Sequence, residues 1–113
     1  MDKSTRFDLT VINPSMILGP ALINTDFTSG DIVRQILSDK LFGIPRIMFT
    51  IVDVRDVAKV HIIAMTNSAT NGKRYILDSM TALWMKDMCE ILRKEYGQYG
   101  YKIAKKRTKK MQY

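Results

Sequence analysis

Cysteine is nearly missing from this chain. Cys89 stands alone among 113 residues, which excludes an internal disulfide and leaves no cysteine cluster for a metal. No stretch approaches the ~20 consecutive apolar residues that a membrane span needs. The start, MDKSTRFDL, has no secretory hydrophobic region. These absences predict a cytoplasmic protein without a membrane span. Acid is lacking from residues 102–113, where Lys102, Lys105, Lys106, Arg107, Lys109 and Lys110 fall together. With those six set aside, twelve basic residues nearly balance eleven acidic ones, so the net charge of +7 belongs mainly to the tail. A nearly neutral body speaks against nucleic acid as the partner of the folded part. What is present is an ordinary apolar share of 46% in a chain of single-domain length.

Residues 7–12 are Phe, Asp, Leu, Thr, Val and Ile, a composition that predicts a short buried strand. Pro14 cannot donate to a sheet ladder, so pairing is expected to loosen there, and Gly19-Pro20 turns the chain again. After a loop through Thr28, Ser29 is placed to cap a helix with Asp31 in its first turn and Ile32, Val33, Ile36 and Leu37 along one face. Gly43 and Pro45 mark the next loop. Residues 47–52 read as a strand buried on both faces. Asp53 then caps a helix over 54–66 whose stripe is Val57, Ala58, His61, Ile62 and Met65, with Asp56 three residues on as in a capping box. Residues 74–77 form a short strand. Thr81 caps the last helix, with Met85, Met88, Cys89 and Leu92 inward, a Glu90–Lys94 pair outward and Gly97 at its end. Strand and helix alternate throughout, so the fold class is α/β.

A strand that stops abruptly before a structured loop is how open α/β sheets offer backbone groups to a ligand. At this point the residues carry a family likeness. NPSMILGP, residues 13–20, resembles the Asn-Pro then Gly-Pro signature of the extended short-chain dehydrogenase/reductases (the NAD-dependent epimerase/dehydratase family), in its dihydroflavonol reductase and cinnamoyl-CoA reductase branch. IVDVRDVAKVHIIAM, residues 51–65, is similar to the strand-to-helix block downstream in that family, and residues 72–96 resemble its closing strand and helix. The three blocks occur in the family's order and cover roughly residues 7–101. The resemblance implies the C-terminal portion of a Rossmann-type NAD(P)-binding fold with its substrate region, its sheet incomplete. Residues 1–101 make up that part, and residues 102–113 are a basic, disordered tail.

By the same resemblance, Pro14 and Ser15 contact the nicotinamide of NADP or NAD, with Pro14 holding the loop rigid, and Ser29 approaches the cofactor from the next helix. A plain helix cap is the other reading of Ser29. Residues 21–28 and 48–50 line the pocket of a small carbonyl substrate. Asp53, Arg55, Asp56 and His61 invite a catalytic reading, but capping, an ion pair and packing account for them. Met48, Met65, Met80, Met85 and Met88 read as core filling rather than as a metal site.

The family's chemistry needs a Gly-rich turn at the pyrophosphate and a Tyr-x-x-x-Lys pair on a helix before the Asn-Pro strand. No Gly-x-x-Gly-x-x-Gly occurs. Tyr101 and Lys105 match the second pattern in letters only, since they follow the final helix. No catalytic residue is therefore assigned. The expected function is that of an NAD(P)H-dependent oxidoreductase on carbonyl groups, the chain being inactive alone and prone to self-association through an open sheet edge. The competing function is a non-enzymatic interaction module that holds polyanions or a protein partner through the basic tail.

Overall fold

The structure is a computed structural model that describes residues 7–41 and 43–105. The expected first strand begins later and runs further than its apolar letters indicate. β1 is Val11–Pro14, and after a bend at Ser15 the same run continues as β2, Met16–Leu18. Pairing does not loosen at Pro14. β1 lies parallel to β4 (Arg74–Leu77), with Pro14 in register with Leu77. The reason is geometric: the Val11 N–H donates to the Lys73 carbonyl at 3.0 Å and the Ser15 N–H to the Leu77 carbonyl at 2.9 Å. Alternation turns the nitrogen of Pro14 to the opposite edge, where its missing proton leaves this ladder intact.

At Ser15 the chain changes sheets. β2 pairs in parallel with β3 (Met48–Asp53), Leu18 opposite Asp53, and β3 pairs antiparallel with β5 (Ala82–Trp84), Met48 opposite Trp84. Neither β2 nor β5 is expected from the sequence, because each is three residues long and held by neighbours rather than by its own composition. The sheets are thus a pair, β1-β4, and a triplet, β2-β3-β5. Among the described residues three α-helices complete the α/β architecture: α1 (Thr28–Leu37), α2 (Val54–Thr66) and α3 (Met85–Tyr96).

The caps divide into one success and two corrections. Asp53 caps α2 as expected, its side chain accepting the Arg55 N–H at 2.8 Å. Ser29 does not cap α1; Phe27 holds that position without a side-chain bond, and Ser29 lies inside the first turn. Thr81 does not cap α3 either, because β5 occupies the intervening residues and puts Trp84 at the cap. Glu90 pairs backward with Lys86 at 3.2 Å. Gly97 is right-handed, and the left-handed glycine is Gly100 beyond it.

The core is lopsided. Ile36, Ile44, Met85, Met88, Cys89 and Ile103 are buried together, with Met16, Leu18, Phe49, Ile51 and Leu83 of the triplet packed against them. The β1–β4 side has little comparable packing. There Thr10 and the buried Thr70 tie β1 to the end of α2, hydroxyl to hydroxyl at 3.1 Å. The expected inward stripe of α2 fails accordingly: Val57 is buried, while Ala58, His61, Ile62 and Met65 are exposed. Met48, Met65 and Met80 are also exposed, leaving Met85 and Met88 as the buried methionines of that group. These residues have helical or strand periodicity, yet nothing among the described residues covers them. Ile103, within the segment expected to be a solvated tail, is only 7% exposed, so packing reaches that residue; residues 106–113, with most of the basic cluster, lie outside the described residues.

Candidate functional site

The Gly-Pro turn and the Asp-Val-Arg-Asp block, far apart in sequence, meet in space. The register that pairs Leu18 with Asp53 brings Gly19 directly against the start of α2. Beyond this junction opens a cavity of about 750 Å³. Its walls are Ile17 and Leu18 of β2, the Gly19-Pro20 turn, Ala21, Leu22, Ile23, Thr25 and Phe27 of the following loop, Ser29 of α1, and Val54, Arg55 and Ala58 of α2. The lining is almost wholly apolar, as ligand pockets usually are. Leu22 is 99% exposed at its mouth. The loop is anchored by Arg34, whose guanidinium meets Asp26 at 2.9 Å and Asp31 at 2.7 Å.

Arg55 is the one charged lining residue, and its charge is already answered. Its Nε and terminal nitrogen donate to the two carboxylate oxygens of Asp53 at 2.9 and 2.7 Å, a bidentate fork. Those side-chain hydrogen bonds, followed by the Arg55 backbone N–H, hold the Asp53 carboxyl well below the usual carboxylate range. The same bonds raise the Arg55 guanidinium further. A paired carboxylate that also caps a helix cannot exchange a proton near neutral pH, so this cluster is structural rather than an acid–base pair. His61, expected to pack, is exposed, with its Nδ1 2.8 Å from the Val57 carbonyl.

The three residues expected at a cofactor are not gathered into one cavity. Ser29 lines the pocket; Pro14 and Ser15 do not. Ser15 instead sits at the bend between the two sheets, and its hydroxyl oxygen is buried without a hydrogen-bond partner, a costly state for a polar atom. Residues 21, 22, 23, 25 and 27 do line the cavity, whereas residues 48–50 lie in β3 outside it. Sequence reasoning missed Leu18, Val54 and Ala58 as wall residues; the two motif blocks carried that signal, had they been placed against one another. Tyr101 and Lys105 fall in a non-helical stretch, so their spacing does not set them on one helix face. Among the described residues no group of three or more His, Cys, Asp or Glu is arranged to hold a metal.

Parallel strand pairing, a strand-to-loop junction and an apolar pocket against a helix start are features of part of a Rossmann-type α/β fold. The chain belongs to the extended short-chain dehydrogenase/reductases, the NAD(P)-dependent epimerase/dehydratase family. It is 33% identical over 102 residues to the NADPH-dependent methylglyoxal reductase Gre2 of Saccharomyces cerevisiae, covering 82% of this chain and 29% of the relative. Against cinnamoyl-CoA reductase 2 of Arabidopsis thaliana the identity is 34% over 97 residues, covering 86% and 29%. The crystal structure of Gre2 from Candida albicans in complex with NADPH superposes with a TM-score of 0.74 at 32% identity, over 94% of this chain and 33% of that one. The chain thus spans about a third of the relatives it matches. No protein-family model matches it. No helix among the described residues is long and apolar enough to cross a membrane.

Proposed function

We propose that this chain supplies the substrate side of a cytoplasmic carbonyl reductase that uses NADPH. The observation that carries the reading is the apolar cavity in which the Gly19-Pro20 turn, Ser29 and the Val54–Arg55 start of α2 come together in a chain of this family. Its matched relatives include NADPH-dependent reductases, which favours NADPH over NADH. The residues fit the nicotinamide end of such a cofactor. The first turn of α1 has no capping side chain, which leaves its N–H groups available beside Ser29. The Ser15 hydroxyl is buried and unanswered. Pro14 fixes the backbone that carries Ser15. When bound, the cofactor supplies hydride to a carbonyl carbon. Ser29 approaches the nicotinamide amide from the cavity wall, Ser15 lies at the sheet bend outside that cavity, and the apolar walls hold the body of a small carbonyl compound and exclude water.

Nothing in the sequence provides a Gly-rich turn for the pyrophosphate, and no tyrosine–lysine pair is placed on a helix. The chain alone is accordingly inactive, and it self-associates through the open β1 edge at high concentration. The test pairs binding with turnover. Reduced nicotinamide mononucleotide at millimolar concentration is expected to shift the amide resonances of Ser15 and Ser29, while NADPH and methylglyoxal give no turnover. Unmoved resonances would remove the cofactor contacts, and unaided NADPH oxidation by the chain would remove the claim of inactivity.

A further inference from the structure

A second cleft, of about 480 Å³, lies where α3 ends and the following chain packs back against it. It shares no lining residue with the apolar cavity, and its character is opposite. Arg93 and Gly97 at the end of α3, Asp39 just beyond α1, and Tyr101, Lys102 and Lys105 border it. Tyr101 and Lys105, which share no helix, therefore do share a cleft.

Arg93 is half-buried, and its charge is unanswered. One terminal nitrogen donates to the Ala104 carbonyl at 2.5 Å, and Nε is buried without a hydrogen-bond partner. No carboxylate pairs with the guanidinium among the described residues. A partly desolvated cation without an acid is costly, because it has given up water on one side for a single neutral acceptor. Its remaining terminal nitrogen, Nη1, carries no protein hydrogen bond and is not buried, so a ligand can reach the charge there. Lys102 and Lys105 are exposed and likewise form no ion pair among the described residues, and Asp39 joins none of the three. Three cations thus face one carboxylate and about half a negative charge from the end of α3. The cleft stays positive.

We propose that this cleft binds a single phosphate group, held by Arg93 Nη1 and the ammonium groups of Lys102 and Lys105. Guanidinium and ammonium are the side chains suited to phosphate, one as a planar donor and the other as a mobile point charge. A concave site around a half-buried arginine favours a small anion over a polyanion, which binds by neutralising many phosphates along an exposed cationic track. The Tyr101 ring and Ile103 offer a wall for the organic part of a phosphate ester. None of these residues takes part in the reductase reading, so either can fail without the other.

The experiment follows the Arg93 Nε–H and the amides of residues 102–105 by NMR of the full chain. Millimolar inorganic phosphate at fixed ionic strength is expected to shift these signals saturably, and chloride to leave them in place. Lys102→Gln combined with Lys105→Gln, at exposed positions that leave the fold intact, is expected to weaken binding at least fivefold. Phenyl phosphate binding at least threefold more tightly than inorganic phosphate would identify an ester as the ligand, and no gain would identify the free anion. An unmoved Arg93 Nε–H signal would overturn the proposal. So would undiminished affinity in the double variant, or shifts that heparin produces and phosphate does not, which would make the segment a polyanion surface.

Discussion

Gly19 and Val54 approach so closely that a Cβ on the glycine would lie 2.9 Å from Val54 Cγ1 and 3.4 Å from an Asp53 carboxylate oxygen. The glycine also has φ +136°, a conformation that residues with a side chain rarely adopt. Two constraints therefore coincide at the corner where β2 ends and α2 begins, and both require the same residue. Gly19→Ala is expected to destabilise the chain by roughly 1–3 kcal/mol and to push the Pro20–Phe27 loop away from α2. A lower urea midpoint, with faster amide exchange at Val54 and Arg55, would show it; an unchanged midpoint would mean that the corner relaxes freely.

The wall of the pocket has a second close approach. A Cβ on Gly30 would run into the Phe27 ring, which lines the cavity. Alanine in a helix is favoured over glycine by roughly 1 kcal/mol. Gly30→Ala therefore sets helix propensity against ring placement. The ring is expected to swing out of the cavity, and a neutral aromatic ketone to bind at least threefold more weakly than to the parent chain. Ring-proton shifts of Phe27 check the movement, and binding at parental strength would place the ring outside the site.

The Asp53–Arg55 fork predicts a particular acid response. The folded carboxyl releases its proton more readily than the unfolded one, whose value is about 3.9. Its contribution is therefore complete above that value and is lost as pH falls through the lower folded value. Arg55 is exposed and Asp53 only half-buried, so solvent screens the pair and the effect is modest. Asp53→Asn keeps the cap oxygen but removes the charge. Its urea midpoint is expected to fall less between pH 4 and pH 2 than that of the parent chain; parallel curves would show that the fork contributes nothing.

How much of this was legible in the letters depends on where the determining contacts lie. α2 was readable to the residue, because Asp53 and its 3.6-residue pattern act locally. β2 and β5 were not, since three residues such as Met16, Ile17 and Leu18 become a strand only when Ile51–Asp53 lies beside them. The Phe27 cap replaced Ser29 because no local rule reports that a ring occupies the space over Gly30. The exposure of Ile62 and Met65 went unread for a different reason: periodicity marks a face that seeks a partner, whether or not the partner is in the same chain. The pocket was half legible, its loop from the family likeness and its α2 wall only from the fold.

Cys89 offers a direct probe of the packed pole. Its side chain is fully buried among Ile36, Met85 and Met88, and burial pushes the thiol up from its ordinary value. The thiolate is the reactive form, so a disulfide reagent is expected to modify Cys89 only as fast as the chain unfolds. Since the folded thiol holds its proton more tightly than the unfolded one, stability is at its full value below about pH 8.5 and declines as pH rises beyond it. Labelling at the rate of a free thiol in native buffer would show that α1 and α3 separate readily.

Ile103 tests whether the chain beyond α3 belongs to the fold. It joins the cluster of Ile36, Ile44 and Cys89, and the Arg93 guanidinium donates to the neighbouring Ala104 carbonyl at 2.5 Å, fastening the backbone over α3. A solvated segment would tolerate any substitution there. A buried isoleucine does not, because truncation removes transfer energy and leaves a cavity. Ile103→Ala is therefore expected to cost roughly 2–5 kcal/mol, a large share of what so small a core supplies. Lys102→Ala and Lys105→Ala, at exposed positions on either side, are expected to change the urea midpoint little. If all three variants unfold together with the parent, the segment after Tyr101 contributes nothing to the core; if Ile103→Ala alone collapses, the folded unit includes it.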